Sequence, residues 1–263
     1  MTKKLSLAAA VAVIMCVFPF QANAQFGKTL KNVGKSVSKA AGDMAADIAA
    51  NKVSAKIVEF MDNNNTIAGE DTEYHKRLSG LVADKYMTVD DLSINYKVYE
   101  NPEANIITTA DGSIRVYSGM MELLSDEELA AVIATQIGHL ANKDVRDALL
   151  KVASGDNAAK AGVAQLEKLL SFSGDKLGTV INELLQLPYT DDQSKKADSY
   201  AYTLLTKNGG SAEGLVSVLR KFAELESADQ KVTDGEEGEL STATKFISVN
   251  SNNSLRASII ASR

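Results

Sequence analysis

His139 and His75 are the only histidines in the chain, and Cys16 is the only cysteine. His139 closes the run Thr135-Gln136-Ile137-Gly138-His139 on a stretch with helical spacing, so Thr135 and His139 share a face one turn apart. With so few histidines, any two-histidine site must combine His75 and His139 within one molecule. No serine sits in a nucleophile-elbow pattern, and too few histidines remain to act as base, so a serine hydrolase is excluded.

The elements around this run follow from capping and periodicity. Ser125-Asp126-Glu127-Glu128 is a capping-box start to a helix that continues to Asn142. Leu129, Val132, Ile133, Ile137 and Leu140 form one broad apolar face. Ala131, Thr135, Gly138, His139 and Asn142 form a narrow polar strip that predicts the lining of a cleft. Upstream, residues 26–65 read as one or two helices, and residues 72–86 as another carrying Tyr74, Leu78, Leu81 and Val82. The period then changes to two at Ile94, Tyr96 and Val98. Two short strands, Asn105 to Thr109 and Ser113 to Tyr117, flank Asp111-Gly112, a strong hairpin signal. Helical pattern resumes after Gly119. The polar, acidic stretch from Glu226 to Thr244 reads as a long surface loop.

The N-terminus predicts export. Lys3 and Lys4 precede an apolar run from Leu5 to Phe20, and Ala22-Asn23-Ala24 has the small-x-small form of a signal peptidase site, giving a signal peptide over 1–24. A retained anchor is the alternative. Val13-Ile14-Met15 is a poor lead-in to a lipidated Cys16, which argues against lipoprotein anchoring. Cleavage after Ala24 would leave no cysteine, excluding disulfides and thiolate metal sites. The formal charge of −6 becomes more negative without Lys3 and Lys4, and no basic cluster supports nucleic-acid binding. Lys28, Lys31, Lys35 and Lys39 line a weakly amphipathic N-terminal helix, for which weak contact with an anionic membrane surface is one reading and an exposed or loosely docked helix the other.

Longer motifs carry a resemblance. The segment from Gly112 through Ser125-Asp126-Glu127-Glu128 to Ile133 resembles the approach to the active-site helix of the HtpX/CAAX-prenyl-endopeptidase family of zinc metallopeptidases, in its periplasmic branch. The likeness continues through Leu187-Pro188-Tyr189-Thr190, Lys196-Ala197-Asp198 and Leu204 to Gly209, and upstream through Glu73 to Leu78 and Asn95 to Tyr99. It implies a mainly helical α+β fold of gluzincin metallopeptidase type with a small mixed β-sheet, over residues 71–263, after an N-terminal helical segment over 25–70.

That family uses H-E-x-x-H, in which two histidines bind zinc and the glutamate is general base, with a third ligand from E-x-x-x-D on a later helix. Carried onto this chain, the first histidine is Thr135, the base Gln136, the second histidine His139, the third ligand Ser194 and the aspartate Asp198. A histidine-proline pair before the last helix corresponds to Val249-Asn250-Ser251. Threonine has no imidazole lone pair, glutamine accepts no proton near neutral pH, and serine is too short and uncharged to replace a carboxylate. The resemblance therefore implies degenerate positions at Thr135, Gln136, Ser194 and Asn250, with His139 and Asp198 surviving, no catalytic residue and no bound zinc. It places His75 outside the cleft. Asp198 is expected to orient His139, and Thr135 with Gln136 to form a polar network that cross-links helices in place of a metal. Asn105, Ile106, Ile107 and Thr108 fall on the edge strand where such peptidases lay extended substrates, and main-chain pairing there needs no metal. Three functions follow as expectations: a non-catalytic pseudopeptidase of the envelope that binds extended or unfolded protein segments or regulates a protein partner; a divergent metalloendopeptidase using His139 and Asp198; or a structural envelope protein at the membrane surface.

Overall fold

The computed structural model describes residues 24–155, 162–233, 246 and 252–263. The signal-peptide reading over 1–24 and the Asn250 position therefore lie outside the described residues, apart from Ala24. Contact clustering divides the chain into one unit up to Met44 and a second from Ala45 to Arg263. Helix α1 (Ala24–Asn64) is continuous, so the first helical stretch is one helix. No helix among the described residues is long and apolar enough to cross a membrane.

Within the second unit, α2 (Glu73–Val82) leads to a small hairpin, β1 (Thr88–Val89) and β2 (Leu92–Ser93), and then to a three-stranded sheet. That sheet has β5 (Ser113–Tyr117) at its centre, parallel to β3 (Asn95–Tyr99) and antiparallel to β4 (Ile106–Thr108). The β4–β5 turn is the expected hairpin, and Gly112 supplies the positive φ of 85° that it needs. Helices follow: α3 (Ser118–Leu123), α4 (Asp126–Ala141), α5 (Asp144–Ser154), α6 (Val163–Leu169), α7 (Asp175–Leu185), α8 (Asp191–Lys207), α9 (Glu213–Thr233) and α10 (Asn253–Ala261). This is the mainly helical α+β architecture the sequence implied. The stretch expected as a loop from Glu226 is helical through Thr233. Its Glu, Ala, Gln and Lys residues favour helix. The rest of that expectation, 234–244, lies outside the described residues.

Strand alternation sorts the sheet's side chains between two cores. Val98, Ile106, Ile114 and Val116 join the core built with α2, α3, α4, α8, α9 and α10. Tyr99, Ile107 and Tyr117 join the other, with Ala49, Val53, Ile57 and Met61 of α1 and with residues of α5, α6 and α7. Arg115, only 2% exposed, lies at the centre of β5. Its charge is met by Asp62 near the end of α1, through Nε to Oδ1 at 2.8 Å and Nη2 to Oδ2 at 3.1 Å. Lys97 Nζ (2.8 Å) and the Tyr99 hydroxyl (2.6 Å) also donate to Asp62.

Burial alone would raise the Asp62 carboxyl, but the hydrogen bonds from Arg115, Lys97 and Tyr99 outweigh it and hold it far below the ordinary carboxylate range. Because the folded-state value is depressed, its stabilisation is present above the unfolded carboxyl's value and is lost as pH falls below about 3.9. Removing Asp62 leaves a buried guanidinium uncompensated. Urea unfolding of Asp62→Ala at neutral pH is expected to show a loss of about 3 kcal/mol, with a shallower further loss on acidification than the wild type.

Candidate functional site

The site is built where α4 meets α8. At Gly138 the two backbones approach so closely that a Cβ would lie 2.6 Å from the Ala197 carbonyl oxygen. This contact lies on the same two helices as Thr135, Gln136 and His139 and as Ser194 and Asp198. Both helices start on capping boxes, Ser125 with Glu128 and Thr190 with Gln193, which fix where each first turn begins. Every residue from Glu128 to Leu140 is buried, so the polar strip does not open to a cleft as expected. α8 covers it at Gly138, and Gln136 is the member of α4 that reaches the main cavity.

His139 is fully buried, and its Nδ1 lies 2.8 Å from Asp144 Oδ2 in the first turn of α5. Burial pushes the imidazole below its ordinary value, against the upward pull of Asp144. The ring is therefore neutral, donates from Nδ1 to the carboxylate and carries its lone pair on Nε2, which is buried without a hydrogen-bond partner among the described residues. Tyr189 stacks on the imidazole with ring centroids 3.7 Å apart and planes 10° apart. Tyr189 lines the cavity and His139 does not. Burial, reinforced by the Asp144 charge, pushes the Tyr189 hydroxyl up, so it stays protonated.

Two expected pairings are corrected. Asp198 does not orient His139: both its oxygens accept from the Arg256 guanidinium of α10, at 2.7 and 2.8 Å, with both side chains buried. A bidentate guanidinium is the stronger partner for a buried carboxylate. Nor do Thr135 and Gln136 cross-link helices. The Thr135 hydroxyl donates to the Ala131 carbonyl one turn back, and Gln136 Oε1 accepts from the Thr108 hydroxyl at 2.9 Å, tying α4 to β4. Ser194 Oγ is buried without a partner. His75 is half-buried on α2.

The expected edge residues come together with Gln136. Asn105, Ile106, Ile107 and Thr108 all line a cavity of 650 Å³, whose other walls include Ile57, Met61, Leu149 and Ile181. Among the described residues β4 pairs with β5 on one side only. Tyr117 N–H donates to the Asn105 carbonyl and Thr109 N–H to the Ser113 carbonyl, each at 3.0 Å. In an antiparallel ladder that alternation turns the N–H and C=O groups of Ile106 and Thr108 outward.

The zinc implied by the resemblance does not fit these side chains. A catalytic zinc takes three protein ligands, drawn from nitrogen, sulfur or carboxylate donors, with water in the fourth position. Here Thr135, Gln136 and Asp198 are engaged with Ala131, Thr108 and Arg256, and Ser194 is a neutral hydroxyl, which leaves His139 Nε2 as the available lone pair of a zinc-binding type. Among the described residues no group of three His, Cys, Asp or Glu side chains is arranged to hold a metal.

Sequence reasoning missed Asp144, Arg256 and the stacking of Tyr189. Asp144 lies just past the helix end, where Lys143 with φ 63° turns the chain back, so a carboxylate five residues after the histidine was the available signal. Nothing in the sequence ties Arg256 to Asp198.

A family model described as Peptidase family M48 matches residues 70–253. The chain is 35% identical to the metalloprotease LoiP of Escherichia coli (strain K12) over 179 residues, 68% of this chain and 71% of that relative. It is 30% identical to the metalloprotease YcaL of the same organism over 171 residues, 63% of this chain and 65% of that relative.

The stack makes Tyr189 the cover of His139. Diethylpyrocarbonate should modify His139 at least roughly ten-fold faster in Tyr189→Ala than in the wild type, because the protection comes from local burial. Mass mapping of the modified histidine distinguishes it from His75, and equal rates at His139 would show that Tyr189 is not its cover.

Proposed function

Because the chain belongs to Peptidase family M48, we propose that it is a non-catalytic member of that family, exported to the bacterial envelope, which holds extended protein segments against the edge of its sheet. The observation that carries this reading is the engagement of the site's polar groups by partners from neighbouring elements. Gln136 stands at the general-base position with its carbonyl oxygen bonded to Thr108, and Asp198 is neutralised by Arg256. A glutamine there cannot take a proton from an attacking water. The open edge of β4 needs only backbone groups and a cavity to receive a segment. Export rests on the leader pattern of the first residues. The lysines of α1 suit weak contact with an anionic membrane surface, as a lesser part of this reading.

A divergent metalloendopeptidase is the competing reading. One observation favours it: the Asp144–His139 pair leaves the Nε2 lone pair free, the tautomer a metal-binding histidine adopts.

Metal analysis of untagged protein decides between them. The non-catalytic reading expects far less than one zinc per chain and no chelator-sensitive cleavage of casein. Stoichiometric zinc, with casein cleavage lost in His139→Ala, would overturn it. The triple variant Thr135→His, Gln136→Glu and Ser194→Glu is expected to bind zinc, since it restores the family's ligand types at the positions assigned to them.

A further inference from the structure

The cavity beside β4 carries its chemistry unevenly. Its wall mixes apolar and polar surface, the apolar part coming from Ile57, Met61, Ile107, Leu149, Ile181 and Leu184. Its volume of 650 Å³ lies within the range of sites that enclose a bulky group. Glu103 is the one charged side chain among the residues that line it. Glu103 is exposed, and among the described residues it has no ion-pair partner. It lies two residues before Asn105, at the entrance to the edge strand.

Gln136 adds a second constraint. Its Oε1 is occupied by the Thr108 hydroxyl, and its amide Nε2 has no partner among the described residues. Thr108 belongs to the strand whose outward N–H and C=O groups would pair with an incoming chain. At this position a glutamate would present only acceptor oxygens. The glutamine presents an N–H donor instead, and the group on an extended peptide that accepts a hydrogen bond is a main-chain carbonyl.

We propose that this site selects an extended peptide bearing a bulky apolar side chain close to a lysine or arginine, with Glu103 pairing the cation and Gln136 Nε2 donating to a peptide carbonyl. The inference rests on the peptide-holding reading above and specifies its ligand. The apolar side chain fills the cavity, the main chain pairs with Ile106 and Thr108, and the cation lies toward Glu103. An acidic residue at the same place would meet a like charge and find no basic side chain among the described residues of the lining.

Fluorescence anisotropy tests it, using short labelled peptides of one sequence that contain phenylalanine and differ at one flanking position in Lys, Gln or Glu. The full chain at low salt should bind the Lys peptide about three-fold tighter than the Gln peptide and the Glu peptide weaker again, as expected for an exposed ion pair. High salt should compress that ranking. Glu103→Lys should reverse it. Gln136→Met should weaken all three peptides alike, by roughly ten-fold, because the donor is lost without any change of charge. Equal affinity for the three peptides, or an unchanged ranking in Glu103→Lys, overturns the charge selection and leaves the peptide-holding reading standing. Undiminished binding in Gln136→Met overturns the carbonyl clamp. If the folded protein binds none of the peptides, the peptide-holding reading fails and this one with it.

Discussion

The contact of α4 with α8 at Gly138 is the constraint on which the site depends. With no side chain there, the helix backbones meet directly, and a single methyl group would have to displace the Ala197 backbone. Helices held so closely put every polar residue at their junction out of water. Each such residue must then find a partner inside the protein or bear the cost of being unsatisfied. The surroundings supply those partners from outside the two helices. Asp144 of α5 meets His139, Arg256 of α10 meets Asp198, and Thr108 of β4 meets Gln136. The junction is thus tied to three neighbouring elements by hydrogen bonds, in a region where a metal would otherwise be the common tie.

The sheet repeats this logic at its other face. A buried arginine at the centre of β5 would be untenable alone, and Asp62 collects donors from Arg115, Lys97 and Tyr99. That cluster fixes the end of α1 against β3 and β5. With β5 central and β3 on its far side, β4 is the edge, and the wall facing it comes from α1, α5 and α7. The open edge and its cavity are consequences of the same packing. They do not depend on the residues that replace the family's ligands.

Much of this was legible in the sequence where the cause is local. The box at Ser125, the Asp111-Gly112 turn and the change of period at Ile94 each act within a few residues, and each marked its element. The positions of Thr135, Gln136, His139, Ser194 and Asp198 were placed by the resemblance. Their partners were not legible, because a partner is a tertiary fact. Asp198 was expected to serve His139, yet Arg256, far along the chain, takes both of its oxygens. The acidic stretch after Glu226 misled for another reason. Its composition suits a loop and a solvated helix face equally, and α9 continues through it to Thr233.

Under the proposed non-catalytic reading, charge balance explains why the replacements that the resemblance implies at this site belong together. In the resembling family, carboxylates at the positions of Gln136 and Ser194 lie beside a divalent cation that offsets their burial. A chain that keeps those carboxylates but cannot hold the cation would bury uncompensated anions, at a cost of several kcal/mol each. Glutamine and serine at these positions remove that charge. Their penalty is milder: Ser194 Oγ and His139 Nε2 are left without partners, at roughly 1–3 kcal/mol for each buried group. Asp198 is the one carboxylate kept at these positions, and it is the one that meets a guanidinium in bidentate geometry. Threonine at the first ligand position fits the same pattern, since its hydroxyl satisfies itself on the Ala131 carbonyl without any ion. On the proposed non-catalytic reading the five positions therefore form one electrostatic unit that needs no metal, and Gln136 is left to serve the cavity as a donor.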